Sequence, residues 1–272
     1  MCGKVFEWGA RTYIMGILNI TPDSFSDGGR FMDADRAAER AGDMIRMGAD
    51  IIDVGGESTR PGCSGIAAEE ELARVLPVLE RLEPGIPVSI DTYKARVAEA
   101  AARAGACMIN DVSGLRACPD IASVAAEYGA YLVIVHNSPE PAENGVMTSL
   151  IAFLETAVNT ALAAGVSAER IILDPGIGFG RKACADNLEI MRGLAGLKSM
   201  GFPIMLGVSR KAFIGEILNA PPSERLFGTA AANVLGIAAG ADIIRVHDVA
   251  ENLRAAKVAD AIVRRPGSRR TP

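Results

Sequence analysis

The segment GADIIDV, residues 48–54, decides the fold class because versions of it recur along the chain. GACMINDV at 105–112 and GADIIRV at 240–246 have the same order: a Gly-Ala pair, a short apolar run and a polar residue near its end. Glycine in this place is typical of a helix end, and the apolar run is typical of a buried strand. The recurrence predicts repeated units in which a helix leads into a strand.

Short apolar runs of this kind occur eight times, separated by helical patterns. The predicted strands are 13–18, 51–54, 87–90, 107–110, 131–135, 171–174, 203–207 and 242–246. Strands that are apolar on both faces and alternate with helices form parallel sheets. The alternative is an open doubly wound sheet, which more often has about five to seven strands and a Gly-rich dinucleotide turn. Eight units therefore favour an α/β fold of the (β/α)8 TIM-barrel type.

The composition is that of a globular protein, with 49% hydrophobic and 22% charged residues in a chain of 272. We expect a single barrel domain over 1–264 and a disordered basic tail over 265–272. The net charge of -5 argues against a nucleic-acid partner. Five widely spaced cysteines indicate free thiols. Because no signal peptide or membrane-spanning run is evident, we expect a cytoplasmic protein with no membrane partner.

Polar side chains follow the predicted strands at their carboxyl ends, where the loops of such a barrel meet at one mouth. Any one of these residues is as easily explained as a helix N-cap or a surface turn. A polar residue at every strand end indicates a site instead. The set is Asn19, Asp53, Asp91, Asn110, His136, Asp174, residues 209–211, Arg245 and His247.

Charge divides these residues and their neighbours into two groups. One group is cationic and suits a phosphate or a carboxylate: Arg60, Arg210, Lys211, Arg245 and His247. The alternative is that these cations pair with nearby Asp and Glu side chains. That alternative carries less weight for Arg245, which lies within an apolar strand where an unpaired cation is costly. The second group, Asp91, Asn110 and Asp174, has the donors and acceptors to bind a flat nitrogen heterocycle.

Two Gly-rich segments accompany the strand ends, DPGIGFG at 174–180 and GGESTRPG at 55–62. Neither has the lysine of a Walker loop or the spacing of a dinucleotide turn, so their spacing is a weak signal for phosphate binding. We expect close backbone approach to a ligand, or a mobile loop.

Seven longer segments are spread along most of the chain, between residues 16 and 249. They are NITPDSFSDGG (19–29), DVGGESTRPG (53–62), SIDTYK (89–94), INDVSG (109–114), DPGIGFG (174–180), GVSRKAFIG (207–215) and IRVHDV (244–249). In this order they resemble the dihydropteroate synthase family. The resemblance implies a (β/α)8 barrel, usually a homodimer, that joins para-aminobenzoate to a hydroxymethyl-dihydropterin diphosphate with Mg2+ as cofactor.

The resemblance also implies a role for each matching residue. Pterin binding falls to Asp91, Asn110, Val112, Val135, Asp174 and Lys211. Binding of para-aminobenzoate falls to Thr59, Arg60, Phe179, Ser209 and Arg210, a pocket that sulfonamides mimicking this substrate would also occupy. Diphosphate binding falls to Asn19, Arg60, Arg245 and His247, with Asn19 also a metal ligand. The catalytic set is Asp91, Lys211, Asp23 and Phe25, the last two on a flap over 21–29 that closes over the reacting carbon.

One position departs from the family pattern and puts pterin packing in question. The fifth strand usually ends in Met-His, whereas Val135 and His136 stand here. Two other functions stay open at this point. One is a catalytically silent pterin-binding paralogue, and the other is a pterin-dependent corrinoid methyltransferase.

Overall fold

The computed structural model describes residues 6–20, 29–57, 65–83, 85–138, 145–180 and 183–264, with the side chains of 29–33 left out. Eight parallel strands form one sheet within these ranges. They are β1 (Tyr13–Asn19), β2 (Ile51–Gly55), β3 (Val88–Asp91), β4 (Met108–Asp111), β5 (Tyr131–Val135), β6 (Ile171–Asp174), β7 (Met205–Leu206) and β8 (Ile243–Val246). The predicted tail at 265–272 lies outside the described residues.

The sheet closes into a barrel. Its strand order is β6-β5-β4-β3-β2-β1-β8-β7, and a parallel bridge between Leu173 and Ile204 joins β6 to the start of β7. The predicted (β/α)8 barrel is therefore confirmed. β7 is shorter than the predicted 203–207 because Pro203, which has no backbone N–H, can contribute only its carbonyl oxygen, accepting from Leu173 N at 2.9 Å.

Helices surround the barrel in the described part of the chain. They are α1 (Gly29–Arg46), α2 (Ala68–Leu79), α3 (Ala95–Arg103), α4 (Asp120–Tyr128), α5 (Val146–Ala163), α6 (Cys184–Leu197), α7 (Ala212–Leu218), α8 (Leu226–Ala238) and α9 (Val249–Val263). Two of them, α7 and α8, connect β7 to β8. The others follow the alternation that the sequence predicts.

The repeated Gly-Ala pair ends a helix in the expected way. Gly48, Gly105 and Gly240 have φ of +99°, +105° and +105°, which a side chain would strain. In the GAD versions the aspartate then caps a neighbouring strand: Asp50 Oδ2 accepts from Ile14 N at 2.9 Å, and Asp242 Oδ2 accepts from Ile204 N at 3.0 Å. The repeat thus ends a helix, and its aspartate links the start of one strand to the start of a neighbouring strand.

Side chains alternate between the barrel interior and the surrounding helices. Ile52 and Ile134 pack outward with the helices, while Ile51 and Val133 belong to a separate inner cluster. Because the period of a strand is two residues, a polar residue two positions after an inner apolar one also faces inward, at the mouth. The pairs are Ile51 and Asp53, Met108 and Asn110, Ile172 and Asp174, and Ile243 and Arg245.

Aromatic rings cover the opposite, N-terminal end of the barrel. Phe6 stacks on Trp8 with ring centroids 5.0 Å apart and meets Tyr13 and Tyr131 edge-on at 5.0 and 5.2 Å. The bottom of the barrel is therefore apolar, and the polar residues of the interior gather at the mouth.

One helix in the described part of the chain, α5, is long and apolar enough to cross a membrane by length and composition alone. Its residues Leu150, Leu154 and Ala161 are buried in the core that joins helices to sheet. One face of α5 is therefore part of that core.

Candidate active site at the barrel mouth

Arg245 lies at the centre of the mouth and is held by two carboxylates. Its Nε donates to Asp53 Oδ2 and its Nη2 to Asp91 Oδ2, each at 2.6 Å. Burial lowers the pKa of Arg245 while Asp53 and Asp91 raise it, and the net direction is upward. Arg245 therefore forms ion pairs with nearby carboxylates. For this residue, ion pairing was the less favoured alternative to ligand binding. The cost of a cation in an apolar strand is offset by carboxylates from two other strands.

Asn110 joins the same network from β4. Its Nδ2 donates to Asp53 Oδ2 at 3.2 Å. Within the described ranges, Oδ1 of Asp53, Oδ1 of Asp91 and Oδ1 of Asn110 are buried without a hydrogen-bond partner. An unsatisfied buried acceptor costs about 1–3 kcal/mol. Three such acceptors together are suited to a ligand that carries several N–H donors.

Burial raises the pKa of Asp91 to about 7, although the charges of Arg245 and Lys211 lower it. The nearby carboxylates of Asp53 and Glu71 act in the raising direction. The pKa of Asp174 is likewise raised by burial, against the charge of Lys211 and the N–H of Gly176, which donates to Asp174 Oδ1 at 2.7 Å. Perturbed carboxylates in one mouth are a feature of functional sites.

Lys211 lies on the Asp174 side of the mouth. Its ammonium donates to the carbonyl oxygen of Ile177 and lies 4.4 Å from the centroid of the Phe179 ring. Phe179 packs on the inner apolar cluster of the barrel. The structure thus brings together a cation, an aromatic face and a carboxylate at the ends of β6 and β7.

Ser209 and His247 meet between the ends of β7 and β8. His247 N donates to Ser209 Oγ at 3.2 Å, and His247 Nδ1 lies 3.0 Å from the same oxygen. Arg210 follows with φ of +57°, and its guanidinium binds both oxygens of Asp248, at 2.9 and 2.5 Å. The ion-pairing alternative therefore holds for Arg210 as well.

Asn19 ends β1 opposite Gly55 in the parallel register. A Cβ atom placed on Gly55 would lie 3.5 Å from Asn19 Oδ1 and 3.4 Å from Asp91 Cβ. Asn19 and Asp91 therefore flank the same glycine at the mouth. On the far side of the barrel, Val135 is buried in the inner cluster and Val112 is buried just beyond β4.

His136 does not belong with the mouth residues. It directly follows Val135, which faces the interior, so strand alternation turns His136 outward. Its ring meets Phe153 of α5 edge-on, with centroids 4.7 Å apart. Four predicted site residues, Asp23, Phe25, Thr59 and Arg60, lie outside the described residues, and their roles stay predictions.

The glycines of DPGIGFG have a structural reason that the sequence did not reveal. Gly176 and Gly180 have positive φ, at +67° and +62°. A Cβ on them would overlap the backbone carbonyl oxygens of His136 and Ser138, respectively. They are required by close backbone packing within the protein, rather than by approach to a ligand.

Sequence reasoning also missed an ionic cluster beside Asp91. Lys94 Nζ lies 2.5 Å from both Glu57 Oε2 and Glu71 Oε2, and Tyr93 donates to Glu57 Oε1 at 2.8 Å. Glu71 is on a helix, and its helical spacing gave no sign that it is buried. The SIDTYK and GGES segments were the available signal, because they place Lys94 and Glu57 after neighbouring strands.

The chain is similar to known proteins of one family over nearly its whole length. The model of the pterin binding enzyme family matches residues 15–247. A dihydropteroate synthase of Clostridium beijerinckii is 53% identical, with 96% of this chain and 98% of the relative covered. A crystal structure of a dihydropteroate synthase from Clostridium difficile, obtained with pteroic acid, is 52% identical with a TM-score of 0.93, covering 96% and 100%. One from Xanthomonas albilineans in complex with 7,8-dihydropteroate is 39% identical with a TM-score of 0.85, covering 93% and 94%.

Proposed function

The chain belongs to the pterin-binding enzymes and catalyses the synthesis of dihydropteroate, and on that premise we propose how its mouth residues divide the reaction. The observation that carries the proposal is the trio of buried acceptors at the mouth, on Asp53, Asp91 and Asn110, that have no partner among the residues the structure describes. In the reaction, diphosphate leaves with the electron pair of its carbon–oxygen bond. The amine nitrogen of para-aminobenzoate bonds to that carbon and loses a proton. The silent paralogue and the corrinoid methyltransferase are disfavoured by the near-full-length likeness to dihydropteroate synthases.

The pterin ring is bound, in this proposal, by Asp91, Asn110, Asp174 and Lys211. Amino and ring N–H groups of a pterin are donors that match the open oxygens of Asp91 and Asn110. Asp174 and Lys211 extend the polar side of the pocket. Val135 stands in place of the Met that the family usually has and pairs with Asp174 in the parallel register. Together with Val112, which is also buried, it provides an apolar wall.

Asp91 and Lys211 act on the charge that develops during the reaction. When diphosphate departs, the pterin becomes positive, and a fixed carboxylate beside it stabilises that state. Asp91 is suited to this role because it is buried and one of its oxygens is open. Lys211 favours the charged forms of Asp91 and Asp174, since its charge lowers the pKa of both.

Asp91→Asn keeps the shape of the side chain and removes its charge. We expect turnover to fall at least about tenfold, a loss of roughly 1.4 kcal/mol of transition-state stabilisation. The assay is dihydropteroate formation from both substrates with Mg2+. In the wild type, kcat/KM should fall as pH drops through about 7, because Asp91 becomes protonated and neutral. The Asp91→Asn variant should not show this fall in kcat/KM. Unchanged turnover would refute the assigned role.

Diphosphate is bound, in this proposal, by Asn19, Arg245 and His247, and Arg60, outside the described residues, is a predicted fourth donor. Arg245 and His247 project to the same side because they are two residues apart at the end of β8. Ser209 fixes His247 through contacts with both its backbone nitrogen and its ring. Together these groups supply donors to an anion.

The mouth also suits Mg2+ with Asn19 as its protein ligand. No group of three or more His, Cys, Asp and Glu side chains in the described ranges is arranged to hold a metal. Mg2+ usually binds through one or two hard oxygen ligands, several waters and the phosphates of a substrate. The amide oxygen of Asn19 fits that pattern. Bound there, Mg2+ would neutralise charge on the leaving diphosphate.

Removing Mg2+ with a chelator should abolish turnover, and readdition should restore it. Asn19→Ala should raise the Mg2+ concentration for half-maximal activity at least about tenfold, since a tenfold loss corresponds to about 1.4 kcal/mol of binding. Titration calorimetry of Mg2+ with diphosphate present gives the same comparison without turnover. Asn159→Ala, an exposed asparagine on α5, is the control. Equal Mg2+ dependence of both variants would exclude Asn19 as ligand.

Para-aminobenzoate is bound beside Phe179 and Ser209, with Arg210 next to Ser209 in the chain. Thr59 and Arg60, which lie outside the described residues, stay part of this prediction. The Phe179 ring offers an aromatic face, and the Lys211 ammonium above it offers a positive charge. Because Arg210 is held by Asp248, its guanidinium contributes to the local field instead of gripping the substrate carboxylate directly. Sulfonamides resemble para-aminobenzoate and target the same pocket in this proposal.

Sulfanilamide should inhibit competitively with para-aminobenzoate and not with the pterin diphosphate. Ser209→Ala should raise the KM for para-aminobenzoate and the inhibition constant of sulfanilamide by a similar factor of about three to tenfold, the loss expected for one hydrogen bond. Steady-state kinetics with each substrate varied in turn measure both. Inhibition that competes only with the pterin substrate would contradict the placement.

We also propose a homodimer in the cytoplasm. Among the described residues, Cys118 and Cys184 are free thiols, as is usual in a reducing compartment. Exposed apolar side chains lie on the adjacent helices α7, α8 and α9, with Phe227 85% and Leu235 67% exposed. A patch of this kind is typical of an association surface.

Light scattering should give about twice the chain mass of 28.4 kDa. Phe227→Asp places a charge in the proposed interface and should shift the protein toward monomer at micromolar concentration. The matched control is Leu162→Asp, an exposed leucine on α5. A wild-type monomer, or equal dissociation of both variants, would contradict the proposed surface.

A further inference from the structure

Asp53 is the residue at which the hydrogen bonds of the mouth meet, although no step of the proposed reaction uses it. It is fully buried at the inward-facing position of β2. Its Oδ2 accepts from both Arg245 Nε at 2.6 Å and Asn110 Nδ2 at 3.2 Å. A single oxygen therefore connects a residue proposed for pterin binding to one proposed for diphosphate binding.

The contact with Asn110 fixes the direction of its amide. A carboxylate paired with a guanidinium accepts hydrogen bonds and has none to donate. The NH2 end of Asn110 must then face Asp53, and its Oδ1 is directed elsewhere. That oxygen is buried and has no hydrogen-bond partner among the described residues. Turning the amide over would place oxygen against oxygen and is unfavourable.

We propose that Asp53 is a positioning residue that makes Asn110 present a hydrogen-bond acceptor to the pterin. The inference rests on the proposed binding of the pterin by Asn110. Without Asp53, both orientations of the amide become accessible, and only one of them accepts from a ring N–H. Asp53 therefore selects ligands that donate at this point, although it acts through another side chain.

Oδ2 of Asp53 also leaves a second acceptor, Oδ1 of Asp91, available to a ligand. Because Asp53 takes Arg245 Nε, the guanidinium meets Asp91 through Nη2 alone, at Asp91 Oδ2. Asp91 Oδ1 consequently stays without a partner in the described part of the chain. Asp53 thus holds Asn110 and Arg245 so that Asn110 Oδ1 and Asp91 Oδ1 are both available to donors.

The test measures binding of 6-hydroxymethylpterin by calorimetry, because this ligand lacks the diphosphate and so reports on ring recognition. Asp53→Ala removes the shared oxygen and should weaken binding at least about tenfold, within the range expected for a lost buried hydrogen bond. Asp53→Asn can keep an oxygen at the shared position and should stay within about threefold of the wild type. If Asp53 acted only through its charge, Asp53→Asn and Asp53→Ala would weaken binding equally. That result would overturn the proposal.

A double-mutant cycle tests whether the effect passes through Asn110. In the Asn110→Ala background, Asp53→Ala should add less than about threefold, because the amide that it orients is gone. The full tenfold addition would show that Asp53 acts through Arg245 and Asp91 and not through Asn110, and it would refute the inference. If Asn110→Ala itself binds like the wild type, the proposed role of Asn110 fails instead, so the two failures are distinguishable.

The matched control is Asp242→Ala at the opposite end of the barrel. Asp242 is equally buried and pairs with Lys198, far from the mouth. Its loss should lower stability without changing binding by more than about twofold. If Asp53→Ala does not fold, Asp53→Ser also removes the shared oxygen and takes its place in the cycle. Wild-type affinity in Asp53→Ala or Asp53→Ser, once folded, would refute the proposal.

Discussion

The mouth of this barrel depends on Arg245, whose guanidinium bridges the carboxylates of Asp53 and Asp91. A guanidinium inside an apolar barrel needs anionic partners, and buried carboxylates need a cation. Strands β2, β3 and β8 supply them at distances of 2.6 Å. The network neutralises part of the charge, and in the described part of the chain it leaves oxygens on Asp53, Asp91 and Asn110 without partners. Because these three oxygens lie together at the mouth, their availability connects packing to substrate binding.

Parallel strands with a two-residue period explain why those residues meet. Each strand that begins with an inner apolar side chain places its next inward-facing residue at its carboxyl end. In a closed barrel, all these strand ends lie around one mouth. This arrangement also accounts for His136, which turns away from the mouth because it is one residue out of phase with Val135. The same rule that gathers the site therefore excludes a residue whose chemistry would otherwise suit it.

Charge compensation limits what the cations at the mouth can do. Arg210 and Arg245 are held by carboxylates, whereas Lys211 contacts a backbone oxygen and an aromatic face. The carboxylates of Asp53 and Glu71 raise the pKa of Asp91, while Arg245 and Lys211 lower it. The reactivity of the site is therefore a property of the whole network. A single residue type at a strand end does not define it.

The sequence by itself determined the barrel, the strand bounds at β5 and β6, and the family to which the chain belongs, because these depend on local periodicity and on segments read in order. It also placed Asp91, Asn110, Asp174 and Arg245 at one mouth. Only the tertiary structure decided how they pair. Asp53 and Arg245 are 192 positions apart, and no local pattern states that they form an ion pair. Likewise, the glycines at 176 and 180 suggested a ligand, and only the packing of one loop on another revealed the backbone oxygens that require them.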